Sequence, residues 1–183
     1  MSDQWFALQV RSRYEHSVAT HLGGMGYERF LPLYKCRRRW SDRFKEFELP
    51  LFPGYVFCRL DLSNRLPVLM TPGVTLIVGA GKIPLPIDEV EMTTIQAAVS
   101  SGLRSEPWPF LQIGQRVKMN YGPLCGLEGI LVDRRGRHHL MLSVTLLQRS
   151  IAVEVDRDWV SPLSSSHVLA PNWSISRTEQ ASY

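Results

Sequence analysis

A chain of 183 residues, 44% hydrophobic and 21% charged, has room for one ordinary globular domain or two small ones, each with its own core. Its three cysteines, Cys36, Cys58 and Cys125, lie far apart without C-x-x-C spacing, which argues against a disulfide framework or a zinc site and for a reducing compartment. The formal charge of +4 is clustered, with Lys35, Arg37, Arg38, Arg39, Arg43 and Lys45 diluted by Asp42 alone among the acids, and Arg134, Arg135 and Arg137 forming a smaller group. Such clusters attract polyanions, nucleic acid first; charge protecting a solvated hairpin edge explains the same run equally well. The start Met-Ser-Asp-Gln lacks a basic and then apolar leader, and no apolar run reaches membrane-spanning length. The expectation is a cytoplasmic protein with no membrane partner.

Trp5 to Val10 reads as a first strand. Ser12 and Glu15 have capping-box spacing for a helix whose stripe is Tyr14, Val18, Leu22 and Met25, ended by Gly23, Gly24 and Gly26. Phe30 to Trp40 and Phe44 to Leu49 flank Ser41-Asp42-Arg43 as a long hairpin carrying the basic run. Gly54 to Leu60 is the next strand, and Asn64 to Met70 a short helix with Pro67 in its first turn. Val74–Val78 and Ile83–Ile87 flank Gly79-Ala80-Gly81 as another hairpin. Asp88 and Glu91 then repeat the capping spacing for a helix with Met92, Ile95 and Val99 inside.

That order predicts an α+β first domain, residues 1–103, with a ferredoxin-like split βαβ sheet and an added hairpin. Residues 104–110 have linker composition. From 111 to 163, short strands are expected at Arg116–Asn120, Gly129–Asp133, His139–Leu146 and Ile151–Val155, followed by Trp159 and Val160. Five short strands in so few residues suggest a small SH3-like β-barrel. Leu140, Leu142, Val144, Leu146 and Leu147 favour strands there, and serine-rich 164–183 reads as a disordered tail.

Gly114, Gly122, Gly126 and Gly129 recur at strand ends, and Val117 through Ile130 reads as strand, tight turn, strand around Gly122, Pro123 and Gly126. This segment resembles a KOW motif, found in ribosomal proteins and in the NusG family of transcription factors. The first half resembles the NusG N-terminal domain through Trp5-Phe6-Ala7-Leu8-Gln9-Val10, Glu15, Phe30-Leu31-Pro32 and above all Pro50-Leu51-Phe52-Pro53-Gly54-Tyr55-Val56-Phe57. Pro72-Gly73-Val74 and Ile77-Val78-Gly79 continue the likeness, which covers residues 4 to 163. Arg39-Trp40-Ser41-Asp42-Arg43 looks more like the specialised RfaH-like and UpxY-like antiterminators.

The resemblance implies a transcription elongation or antitermination factor. Its first domain would dock on the clamp helices of the largest subunit of RNA polymerase and suppress pausing or termination. Its KOW barrel would recruit a small-subunit ribosomal protein or Rho. By position, Phe52, Pro53, Tyr55, Ile77 and Val78 would make the clamp contact, with an exposed apolar patch around Phe52; alternation along the strand buries at least one of Phe52 and Tyr55. Asn64 and Arg65 stand where the specialised members meet the opposite polymerase pincer, in place of a His-Thr-Thr pattern. Arg11 and His21 correspond to positions on non-template DNA, and Arg37, Arg38, Arg39 and Arg43 are nucleic-acid candidates by charge, towards non-template or upstream DNA.

No G-x-S-x-G, Walker loop or G-x-G-x-x-G occurs, and His16, His21 and His167 stand singly. His138-His139 lies in a basic turn and is expected to be solvated. The reading is a monomeric binding protein, not an enzyme, with no metal or cofactor. The alternative is a KOW-containing RNA- or ribosome-binding protein whose basic hairpin grips structured RNA.

Overall fold

The run Gln4–Val10 forms strand β1, and its side chains are buried on both faces: Trp5 and Ala7 enter one apolar cluster, Phe6, Leu8 and Val10 another. A strand covered on both sides reads as a continuous apolar run rather than an alternation. The computed structural model describes residues 3–40, 43–109, 114–134 and 136–163. Strands β2 (Glu28–Phe30), β3 (Leu33–Trp40), β4 (Arg43–Pro50), β5 (Tyr55–Leu60) and β6 (Val74–Ile77) follow β1. The first sheet has the order β2-β5-β1-β6, with every pair antiparallel. Helices α1 (Glu15–Gly24) and α2 (Leu66–Leu69) cover one face through Val18, Ala19, Leu22 and Val68. Helix α3 (Glu89–Ser100) covers the other through Met92, Ile95 and Ala98. This is an α+β architecture.

The capping box expected at Ser12 and Glu15 does not form. Tyr14 holds the N-cap position without a side-chain bond, and the Glu15 carboxylate accepts the Gly54 N–H instead. Because the helix runs only from 15 to 24, Tyr14 and Met25 fall at its ends and are exposed, leaving Val18, Ala19 and Leu22 as the buried stripe. Its C-terminus closes as a Schellman motif: Gly26 N–H donates to the Gly23 carbonyl and Tyr27 N–H to that of Leu22. Asp88 does cap α3, accepting from Val90 and Glu91 N–H.

The expected first hairpin arm, Phe30 to Trp40, is split. Leu31-Pro32 separates β2, which joins the first sheet, from β3, which pairs only with β4 from Leu33↔Pro50 to Trp40↔Arg43. Pro32 has no N–H to give a ladder, while its carbonyl accepts from Leu51 N–H. The tip residues 41 and 42 lie outside the described residues. The Gly79-Ala80-Gly81 hairpin shrinks to β7 (Gly79–Ala80) and β8 (Ile83–Pro84), because β6 is taken by β1 and prolines follow.

The second sheet comprises β9 (Ser105–Pro109), β10 (Gln115–Met119), β11 (Glu128–Arg134), β12 (Arg137–Val144), β13 (Arg149–Val155) and β14 (Val160–Pro162) in the order β14-β10-β11-β12-β13-β9. The stretch 104–110, read as linker from its prolines, contains β9, paired with β13 from Val153↔Ser105 to Arg149↔Pro109. An edge strand tolerates proline because one side of its backbone needs no ladder bonds. Strand β12 ends at Val144, so Leu146 and Leu147 lie in a 3₁₀ turn rather than a strand. It also starts earlier than expected, and this places His138 half-buried and His139 buried, not solvated; His139 Nδ1 has no hydrogen-bond partner among the described residues. The tail, 164–183, lies outside the described residues.

The two sheets are joined through α3, which packs on β12. Their apolar residues form one cluster running from Trp5, Phe52, Phe57 and Met92 to Leu140, Leu142, Ile151 and Val153. Across the junction, the Glu91 carboxylate accepts the Thr145 hydroxyl at 2.6 Å and the Thr145 N–H at 3.2 Å. Glu91 therefore serves the junction rather than the α3 cap.

Candidate functional site

Two Pro-Gly turns are pinned to the end of β1. In Phe52-Pro53-Gly54-Tyr55, Tyr55 N–H donates to the Phe52 carbonyl at 3.1 Å, and Gly54 has φ of 84°. In Thr71-Pro72-Gly73-Val74, Val74 N–H donates to the Thr71 carbonyl at 3.0 Å, and Gly73 has φ of 99°. Proline second and a positive-φ glycine third is the demand of a type II turn. Val10 N–H donates to the Gly54 carbonyl and Arg11 N–H to the Gly73 carbonyl, each at 2.9 Å. Consecutive residues thus hold both turns at one end of the sheet.

Glu15 fixes the first turn further. It is 7% exposed, and its carboxylate accepts the Gly54 N–H at 2.9 Å. Charge-assisted bonds are about twice as strong as neutral ones. Glu15→Gln keeps an acceptor of the same shape but loses the charge, and should lower unfolding free energy by about 1 kcal/mol in urea titrations.

The turn decides which candidates face outward. Phe52, at its first position, is 1% exposed and packs edge-on against Phe57, ring centroids 5.4 Å apart. The exposed apolar patch expected around Phe52 is therefore not formed by that ring: the turn carries Pro53 to the surface and drives position 52 into the core. Tyr55 and Val78 are half-buried, Ile77 is buried, and Asn64 and Arg65 are exposed at the entrance to α2. Arg11 and His21 are both exposed. The backbones of Arg37, Arg38, Arg39 and Arg43 lie in the β3–β4 ladder; their side chains fall outside what is described. Gly122 and Gly126 turn the chain from β10 into β11, with Pro123 exposed and Gly129 within β11.

Sequence reading missed an apolar ledge on this module. Tyr14, Leu66 and Met70 are large and exposed, Met70 at 79%. Leu66 and Met70 are one turn apart around α2, while exposed Leu76, paired with Gln9, lies on the opposite face of the sheet from α2 and stands apart from them. The Tyr14 ring lies over the second turn, close enough that a Cβ on Gly73 would come within 2.6 Å of it. The spacing of Leu66 and Met70, opposite buried Val68, was the available signal. Arg11, Asn64 and Arg65 add polar and cationic groups to the same module. Cys58, by contrast, is unreactive interior: burial, with Asp3 adding to it, pushes its thiol up to about 12. Among the described residues, no group of three His, Cys, Asp or Glu side chains could hold a metal ion. No helix among them is long and apolar enough to cross a membrane.

A family model described as transcription termination factor nusG matches residues 3–96, a span that holds both turns and the ledge. The chain belongs to the NusG family. A NusG of Campylobacter jejuni, named as a transcription termination/antitermination protein, is 30% identical over 83% of this chain and 93% of its own length. The NusG of Neisseria meningitidis is 25% identical over 90% of this chain and all of its own. Among solved structures, NusG of Thermotoga maritima has a TM-score of 0.53 at 21% identity, covering 86% of this chain and 96% of that one, a likeness of fold. Membership gives this chain a role in transcription.

Proposed function

We propose that this chain is an elongation or antitermination factor that binds RNA polymerase through the first sheet and recruits a second partner, ribosomal or Rho, through the second. In this reading the first sheet with α1 and α2 is a ferredoxin-like NusG N-terminal domain carrying an added hairpin. The second sheet is a KOW barrel of the SH3-like kind. The observation that carries it is the pair of Pro-Gly turns locked to Val10 and Arg11 inside the region matched by the family. A rigid turn offers its apex proline without an ordering cost, as a docking surface requires.

The clamp contact is assigned to Pro53 and Tyr55, extended by Tyr14, Leu66 and Met70, with Asn64 and Arg65 directed to the opposite pincer of the polymerase. Phe52, Ile77 and Val78 act from beneath, as the packing that fixes the surface above them. Arg11 and His21 are proposed to face DNA at its edge. The partner is the clamp coiled coil of the largest subunit, because apolar and aromatic groups ringed by polar ones suit a helical apolar seam.

Pro53→Asp combined with Arg65→Ala tests this. Both positions are exposed, so the melting temperature should hold, while recovery of RNA polymerase on the tagged full chain falls at least tenfold. Unchanged recovery from a folded double variant rejects the clamp assignment and favours the ribosome- or RNA-bound reading.

A further inference from the structure

The inner face of the second sheet changes character at the Arg137 end of β12, opposite the end where Thr145 meets Glu91. On this face Val117, Met119 and Leu140 are buried in the joint apolar cluster. Side chains alternate along a strand, and cross-strand partners share a face. Gln115 precedes Val117 by two and pairs with Leu131, which pairs in turn with Leu140. Asp133 and His138, each two residues beyond that last pair, face one another. Pro162 and Val160 join the same face as partners of Val117 and Met119. With Arg157, from the turn between β13 and β14, they line one cavity of about 440 Å³. Its floor is aliphatic, with buried Val117 and half-buried Leu131 and Val160; its rim is polar. Gln115, Asp133 and Arg157 are exposed, and the Asp133 carboxylate stands 4.0 Å from His138 Nδ1. Among the described residues, the side chains of Gln115 and Arg157 make no hydrogen bond or ion pair, and Asp133 has only that one long approach.

We propose that this mouth takes one unpaired guanine of a single-stranded nucleic acid. The base lies on the aliphatic floor, its Watson–Crick edge meets the Asp133 carboxylate, and a neighbouring phosphate meets Arg157. Unpaired bases are held in this way, by apolar side chains against the ring and polar groups on the Watson–Crick edge. Among the four bases, guanine presents two adjacent donors on that edge, its ring N–H and its amino group. A carboxylate accepts through two oxygens and donates through neither, so it matches that pair. Gln115, on the same rim, supplies an amide donor for the guanine oxygen. A duplex keeps this edge paired, which makes the ligand a single strand. The attraction for a polyanion comes from the turn that frames the mouth, which carries Arg134 and Arg135 in sequence and then Arg137. Glu154 accepts from Arg137 at 2.9 and 3.2 Å, so the phosphate is assigned to Arg157. The site lies outside residues 3–96 and uses no residue of the polymerase contact.

The test is fluorescence anisotropy on the full chain with labelled oligouridines of about ten nucleotides. One carries a central guanosine, one a central adenosine and one neither, and each has a deoxy counterpart built on oligothymidine. The guanine oligomer should bind roughly tenfold more tightly than the other two. The preference should appear in ribose and deoxyribose forms alike, because the named contacts are to base and phosphate. Asp133→Asn should abolish it and leave binding of the plain oligomer unchanged. Arg157→Ala should weaken all three alike and flatten the salt slope by about 0.7, the value for one phosphate contact on a single strand. Guanosine monophosphate, which offers the base without flanking phosphates, should compete at least roughly tenfold less well than the guanine oligomer. Both substituted positions are exposed, so the melting temperature and polymerase recovery should hold in each variant. Equal affinity of guanine and adenine oligomers overturns the proposal. So does a guanine preference that survives Asp133→Asn, equal competition by the free nucleotide, or no binding of any oligomer.

Discussion

Phe52→Ala should cost about 3–5 kcal/mol of stability, the range for truncating a fully packed aromatic ring. The ring is 1% exposed and meets Phe57 at an interplanar angle of 89°, an edge-to-face pair that adds to its burial. Its cluster continues through Met92 and Ile95 of α3 into the second sheet, so no single loop can relax into the void. Phe52→Leu, which keeps most of the volume, should cost less than about 1.5 kcal/mol. Urea unfolding followed by tryptophan fluorescence measures both. The pair also separates two roles for the ring. As packing beneath the Pro53 turn, its loss lowers polymerase recovery in step with the folded fraction, and Phe52→Leu stays near wild type. As a surface contact it would leave stability within about 0.5 kcal/mol while recovery collapsed.

The error at position 52 shows how far the residues could be read. Pro53-Gly54 forms a tight turn with positive φ at glycine. The sequence does not say which flanking side chain faces out, because that depends on where β1 and Glu15 pin the backbone from forty residues away. The same limit governs Glu15 and Glu91. Each has capping-box spacing from a hydroxyl or carboxyl residue, yet each carboxylate is drawn to a tertiary donor, Gly54 in one case and Thr145 in the other. Local spacing predicted the helices and misassigned the acids. Composition misled at residues 105–109, where prolines that suggest a linker fit an edge strand. Periodicity was more dependable: Val18 and Leu22, Met92 and Ile95, and the strands of the second sheet fall where apolar spacing puts them. The ledge of Leu66 and Met70 was hardest to see, since a four-residue helix is too short for a periodic stripe.

Glu91→Ala should loosen the second sheet from the first without unfolding either. Its carboxylate is the acceptor for both the hydroxyl and the N–H of Thr145, and α3 is the element that meets β12. Hydrogen bonds to a charged group contribute about 1.5–3 kcal/mol. Solvent reaches this one, which takes the expected loss to about 1–2 kcal/mol, roughly a factor of ten in the balance between docked and detached. The Asp88 cap is left in place, so α3 keeps its N-terminus. Small-angle X-ray scattering should show a larger radius of gyration for the variant, with an unchanged far-ultraviolet circular dichroism spectrum. Thr145→Val removes only the hydroxyl partner, leaves the N–H bond, and should give an intermediate increase. Unchanged dimensions in Glu91→Ala would mean that the apolar cluster alone holds the sheets together.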